Sequence, residues 1–247
     1  HMGKSGHATA SAYHANAGNG GARLVSAGSA KMVKTSDPAT TGVRQPQMYE
    51  IIKNGGGHTQ DVSNAYGSFH EPKPTELGPI KCIYHMTDAV LQTSLNQKEG
   101  IEAHRAVDFV LTLAQFMTTN ARYSDIILPV TTEWERCGGF GGYNNREYLP
   151  FYTRVTQPLG EAKTDQEIGE LLIAGVGKDP KLAYDKTEDQ QLYEQIAGCK
   201  VMGDDGKMKT LVTLTAEDIK GLNAEGEPQE GIITLKELKE NGGYQFP

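Results

Sequence analysis

The chain has 247 residues, 37% of them hydrophobic, with 29 glycines and a net charge of −7. That length suits one large domain or two small ones, and the negative balance argues against a nucleic-acid partner held through phosphates. No apolar run approaches the roughly 20 residues needed to span a bilayer, and Cys82, Cys137 and Cys199 form no CxxC, so the chain alone holds no four-cysteine iron–sulfur or zinc site.

His1-Met2 reads as a cloning remnant and is left out of fold reasoning. Residues 3–79 read as a loop-rich segment with one or two helices. Gly3–Gly21 carries Gly, Ala, Ser, Asn and His without apolar periodicity and reads as a loop. It is no phosphate loop, because GxxxxGK[ST] and a preceding strand are both lacking. Ser36-Asp37-Pro38 has the form of a helix start. Gln45–Asn54 places Met48, Ile51 and Ile52 on one face and ends at Gly55-Gly56-Gly57, which predicts a helix. His58–Pro79, with Pro72, Pro74 and Pro79, reads as a long surface loop.

Residues 80–177 read as the α/β core. Ile80–Met86 is the first clear strand, Asn96–Ala106 a helix and Phe109–Ala114 the second strand. Met117–Ser124 is a short helical crossover, and Ile126–Leu128 is a third strand stopped by Pro129. Strands joined by a helical crossover are parallel, and ligands of open parallel sheets sit at the carboxyl ends. Those ends are Ala114–Phe116 and Pro129–Thr132. Cys137–Tyr152 follows, with glycines at 138, 139, 141 and 142 that suit either a hairpin turn or close backbone approach to a ligand. Tyr152–Pro158 reads as a fourth strand. Pro158–Gly177 leads into an amphipathic helix with Asp165 near its start, where it reads as an N-terminal cap, and with Ile168, Leu171, Leu172 and Val176 on one face.

Residues 178–247 read as a charged helical and irregular segment. Leu192–Ala197 and Ile233–Glu240 are short helices, and Thr215 and Thr234 are helix caps. The fold class is therefore α/β: a mostly parallel, Rossmann-like sheet flanked by helices, with long irregular loops. No Ser/His/Asp order, HExxH or spaced carboxylate pair suggests catalysis by the chain's own side chains.

The run FMTTNARYSDIILPVTTEWER resembles a segment of the large catalytic subunit of molybdopterin oxidoreductases, the dimethyl sulfoxide reductase family. Thr118, Ala121, Asp125, Leu128, Pro129 and Glu135 fall on that family's pattern. Pro158, Gly160, Glu161, Ala162, Asp165 and Ile168 fall on a second family run, P-x-G-E-A-x-x-D-W-x-I, with Gln166 in place of the aromatic. Gly3-Lys4-Ser5-Gly6 resembles the end of a third.

The resemblance implies a fragment, inactive alone, that leads toward a missing C-terminal domain. It would help bind a cofactor in which two pterin–guanine dinucleotides hold molybdenum or tungsten, for two-electron or oxygen-atom transfer. The resemblance implies cofactor-binding roles for Asp88, Ala114, Gln115, Glu135, Arg136, Asn144, Asn145, Arg146 and Asp165, and no catalytic or metal-ligating residue in this chain. At Ala89 and Ala114 the family's usual Asn and Asp are absent. A [4Fe–4S] cluster is expected upstream, outside this chain. The implied partners are other domains of the same catalytic subunit, an iron–sulfur electron-transfer subunit and a small-molecule substrate, and the implied location is the periplasmic or extracytoplasmic face of the membrane. A stand-alone binding or assembly module that kept the fold and lost the cofactor is the alternative.

Overall fold

Residues 24–33, 45–59, 75–86, 90–93, 96–141 and 147–246 are described by a computed structural model of the chain. The described parts of Thr35–Thr131 and Leu159–Ile168 gather into one unit, and those of His1–Lys34, Thr132–Pro158 and Gly169–Pro247 into another.

The first unit is built on three parallel strands, Cys82–His85, Phe109–Ala114 and Ile126–Pro129, in that spatial order. The predicted crossover logic holds: helices Val90–Thr93 and Gln97–Ala106 lie between the first two strands, and Thr119–Arg122 between the second and third. Residues on the family-like pattern hold this unit in place. Thr118 caps its short helix by accepting from the Ala121 N–H at 3.2 Å, and Ala121 is buried. Asp125 clasps the neighbouring strand: its backbone N–H donates to Val110 O at 2.9 Å, and its carboxylate accepts from the Val110 N–H at 2.7 Å. Tyr49 and Ile52 of the Gln45–Asn54 helix pack with Ile83, Val90, Leu91, Ala103 and Val110 into one core. Each such buried aliphatic contributes about 1.5–3 kcal/mol.

In the second unit the ladders are mainly antiparallel. Tyr148–Thr153 is flanked by Gly138–Phe140 and Gly243–Gln245. Lys200–Met202 is flanked by Val25–Ser26 and Met208–Thr210. Val212–Thr213 and Ile233–Thr234 pair in parallel. Val25, Leu149, Ile196, Val201, Leu211, Leu214 and Leu238 form the centre of its core. The α/β class is thus observed, with its three-stranded parallel sheet confined to the first unit.

Four expectations are corrected. His58–Pro79 is not loop throughout, because Gly57–Thr59 pairs antiparallel with Thr75–Leu77. Gly55 and Gly56, both at positive φ, end the preceding helix and let the chain turn back at once. The fourth strand is Tyr148–Thr153 rather than Tyr152–Pro158, since its partners on both sides fix it there. The helix after Pro158 runs over Asp165–Gly175, but of its predicted apolar face only Ile168 is buried, while Leu171, Leu172 and Val176 are exposed. That helix is capped by Thr164, not by Asp165. The Thr164 hydroxyl accepts from the Glu167 N–H at 3.2 Å, and the Glu167 carboxylate accepts from the Thr164 N–H at 2.8 Å, a reciprocal capping box.

Candidate functional site

The carboxyl ends of the parallel strands bring three of the predicted site residues into line. Ala114 closes its strand beside Pro129, and its carbonyl accepts from the Val130 N–H at 3.3 Å. Gln115 is exposed just past that end, and its side-chain amide donates to Thr131 O at 3.0 Å. The Thr131 N–H donates to Lys163 O at 3.0 Å, and Val130 and Lys163 form a parallel bridge. Lys163 thus extends the sheet by one position, and Thr164 then starts the helix on which Asp165 is the first residue. Ala114, Gln115 and Asp165 therefore mark neighbouring backbone ends. Half-buried Asp165 has its carboxylate at the positive end of the helix dipole. Exposed Phe116 and Met117 follow Gln115 at the same strand end.

Glu135 and Arg136 belong to the second unit, where Glu133–Glu135 forms a single helical turn. Glu135 is 4% exposed. Its carboxylate accepts from the Thr132 N–H at 2.7 Å and from the Thr132 hydroxyl at 2.8 Å, so it closes a capping box for that turn. Arg136 opens onto a cavity of about 220 Å³, with Cys137, Gly138, Gly139, Tyr152, Gln191 and Gln195 also on its wall. Gly139 lies opposite Tyr152 in the ladder, and a Cβ there would come within 2.7 Å of the Tyr152 hydroxyl. Glycine at 139 thus leaves the space that the Tyr152 ring takes.

The cavity's electrostatics are mixed. Glu188 faces it as well as Arg136. Burial first, then the carboxylates of Glu188 and Asp189, push the Cys137 thiol up to about 11. Burial also raises the Tyr152 phenol, with Glu133 adding to the effect and Arg136 opposing it. The Cys137 thiol therefore favours its neutral form. An arginine and a glutamate on one rim, with two amides and a phenol, suit a neutral ring that both donates and accepts hydrogen bonds better than they suit a bare anion.

Asp88, Asn144, Asn145 and Arg146 lie outside the described residues. The sequence reading missed the role of Thr131, which is fully buried, and the Lys163 bridge, since neither leaves a local pattern. It also missed the cavity, although Gln191 and Gln195, four apart on one helix, share a helical face. A buried histidine pair in the first unit was missed too: His85 Nε2 and His104 Nε2 lie 2.8 Å apart.

The model of one protein family, molybdopterin oxidoreductase, matches residues 3–174. Among curated proteins, the chain is 27% identical over 53% of its length to the alpha subunit of an F420-dependent formate dehydrogenase from Methanocaldococcus jannaschii, covering 21% of that protein. It is 27% identical over 62% of its length to a dimethyl sulfoxide/trimethylamine N-oxide reductase of Cereibacter sphaeroides, covering 18% of it. It is 29% identical over 40% of its length to a trimethylamine-N-oxide reductase of Vibrio parahaemolyticus, covering 12% of it. The chain thus matches a fifth or less of the length of the last two, and about a fifth of the first.

Proposed function

Because this chain belongs to the molybdopterin oxidoreductase family, we propose that it is the middle α/β part of a larger catalytic subunit, inactive alone, whose residues help hold a pterin–guanine dinucleotide cofactor. The family match over residues 3–174 carries this reading. The row of strand ends at Ala114, Gln115, Lys163 and Asp165 supports it, since open parallel sheets bind ligands there. When bound, such a cofactor supplies two-electron chemistry at molybdenum or tungsten, often with oxygen-atom transfer.

The residues of the chain fit that group. Asp165 would accept hydrogen bonds from guanine N–H groups, with its charge favoured by the helix N-terminus. The exposed Gln115 amide would meet the nucleotide at the neighbouring strand end. Arg136 would meet a pterin edge through its planar fork. The mixed rim charges beside it favour the neutral ring over a phosphate. The cavity, at about 220 Å³, is smaller than the roughly 300–1,000 Å³ of sites for drug-sized ligands, so it would take one ring and not a whole dinucleotide. Other domains of the same subunit, with a [4Fe–4S] cluster and the metal's ligand, would complete the site. The relatives' names differ in substrate, so the reading stays with the cofactor chemistry they share. An extracytoplasmic location of the parent enzyme belongs to this reading as well.

The test is Asp165→Ala in the full-length enzyme, with bound pterin and metal measured by mass spectrometry beside activity. Cofactor content and activity should fall together, while the Thr164–Glu167 capping box keeps the helix in place. Full cofactor occupancy in that variant overturns the assignment of Asp165.

A further inference from the structure

Residues 24–33 form no helix, and their backbone is bonded instead to the second unit, to which they belong. Val25–Ser26 pairs antiparallel with Lys200 and Val201, the Met202 N–H donates to Leu24 O at 2.7 Å, and Val25 is fully buried. The segment then meets the Glu188–Ala197 helix. The Gly28 N–H donates to Gln195 O at 3.0 Å, and a Cβ at Gly28 would lie 2.5 Å from that oxygen, so glycine lets the two backbones come this close. Lys31 is gripped at both ends of its backbone. Its N–H donates to Glu194 Oε2 at 2.7 Å, and its carbonyl accepts from Lys186 Nζ at 2.5 Å. Lys186 Nζ also donates to Glu194 Oε1 at 2.6 Å. Two side chains of opposite charge thus close around one residue.

This clasp is better shielded than a surface ion pair. The Lys186 and Glu194 side chains are 22% and 21% exposed, so salt screens them less, and each also spends its charge on a backbone hydrogen bond, which strengthens that bond. Burial works against the Glu194 carboxylate, yet the hydrogen bonds from Lys186 and from the Lys31 N–H hold its pKa below the ordinary value. The same helix carries Gln191 and Gln195 on the wall of the cavity beside Arg136. The Gln191 amide donates to Lys186 O at 3.2 Å, and the Gln195 carbonyl carries Gly28. Uncharged bonds hold the helix as well. Gln190 exchanges two hydrogen bonds with the Glu225 backbone, at 2.9 and 2.8 Å, and the Tyr193 hydroxyl donates to Glu227 O at 3.2 Å.

We propose that residues 24–33 are a positioning strap: clasped by Lys186 and Glu194, they fix the Glu188–Ala197 helix and so set where Gln191 and Gln195 stand toward the ring in the cavity. Lys186 and Glu194 are then positioning residues, since they act through those two glutamines. The proposal deepens the cavity reading above and rests on it. The clasp holds main-chain atoms of Lys31, so Lys186 and Glu194, not the Lys31 side chain, decide the docking.

Cys137 makes the wall measurable. It lines the same cavity, and its thiol is pushed up first by burial and then by Glu188 and Asp189 of that helix, so its alkylation rate reports whether the wall holds. In the purified chain, Lys186→Met keeps the aliphatic stem and removes the donor. Amide exchange at residues 28–33 should then run at least about tenfold faster, because the strap opens locally. Cys137, followed on its own peptide, should react faster with a small neutral maleimide at fixed pH. Lys186→Arg, which keeps donors for Lys31 O and Glu194, should return both rates toward wild type. Glu194→Gln, which keeps an oxygen for the Lys31 N–H, should show both effects in milder form, and it replaces Lys186→Met if that variant does not fold. Unchanged strap exchange overturns the clasp. Faster strap exchange with an unchanged Cys137 rate, or Lys186→Arg no better than Lys186→Met, overturns the positioning role. In the full-length enzyme, Lys186→Met and Gln191→Leu should both lose pterin on gel filtration. Loss in Gln191→Leu alone overturns the strap, and loss in Lys186→Met alone overturns the route through Gln191. Pterin kept in both overturns the cavity reading, whatever the strap does in the chain.

Discussion

Glu135 is asked to do two things, and substitution separates them. Its buried carboxylate closes the capping box with Thr132, so Glu135→Ala should cost about 1–3 kcal/mol, the penalty of leaving buried donors unmet. Glu135→Gln keeps an acceptor and should cost less. If Glu135 also meets the cofactor, Glu135→Gln in the full enzyme should lose activity while its denaturation midpoint stays near wild type, and a fully active Glu135→Gln would reduce the residue to a cap. The histidine pair gives a second prediction at this scale. His104 Nδ1 lies 2.7 Å from Gly100 O, a pure acceptor, so Nδ1 carries the proton and His104 Nε2 accepts from His85 Nε2–H. Burial lowers the His104 pKa below the ordinary 6.5, against the opposing Gly100 hydrogen bond. A depressed histidine contributes stability above its unfolded pKa and loses it as pH falls through the folded value. Thermal unfolding should therefore show the first unit weakening below pH 6.5, with a flatter slope in the His85→Asn/His104→Asn double variant. Identical slopes would remove the pair from the account.

Between elements, backbone fit decides more than side-chain pattern. The Gly28 N–H donates to Gln195 O at 3.0 Å, and a Cβ on Gly28 would lie 2.5 Å from both that oxygen and the Gly198 Cα. Backbone cannot yield as a side-chain tip can, so Gly28→Ala should cost about 1–3 kcal/mol in urea denaturation; a cost below about 0.5 kcal/mol would show that the segment docks differently. Such contacts are not written in the sequence, and this marks what was legible in it. The Phe109–Ala114 strand and the Gln45–Asn54 helix were readable to the residue, because apolar runs and glycine stops are local signals. The caps at Thr215 and Thr234 are legible because each threonine heads a short helical run. The capping boxes at Thr132–Glu135 and Thr164–Glu167 head a single turn and a helix behind a loop, where no such run announces them. The Tyr148–Thr153 strand was misplaced because a proline sits inside it and its outer partner, Gly243–Gln245, lies some ninety residues away. Of the candidate site, the strand ends were legible from the crossover, but the Thr131–Lys163 bridge and the Arg136–Tyr152 cavity come from tertiary pairing.

At the scale of the whole molecule, each unit by itself carries residues that the proposed function gives to the cofactor. The parallel-sheet unit presents strand ends and Asp165, suited to a nucleotide. The other presents Arg136 and Glu188 with two amides and a phenol, suited to a ring. That division, together with the family match, makes cofactor holding the central claim. Its most direct test is the pterin, guanine nucleotide and metal content of the purified wild-type full-length enzyme. After acid release, the account predicts about two pterins and about two guanine nucleotides for each molybdenum or tungsten, in keeping with a protein whose part is to bind and orient its cofactor. An active enzyme that releases neither pterin nor guanine nucleotide would contradict it.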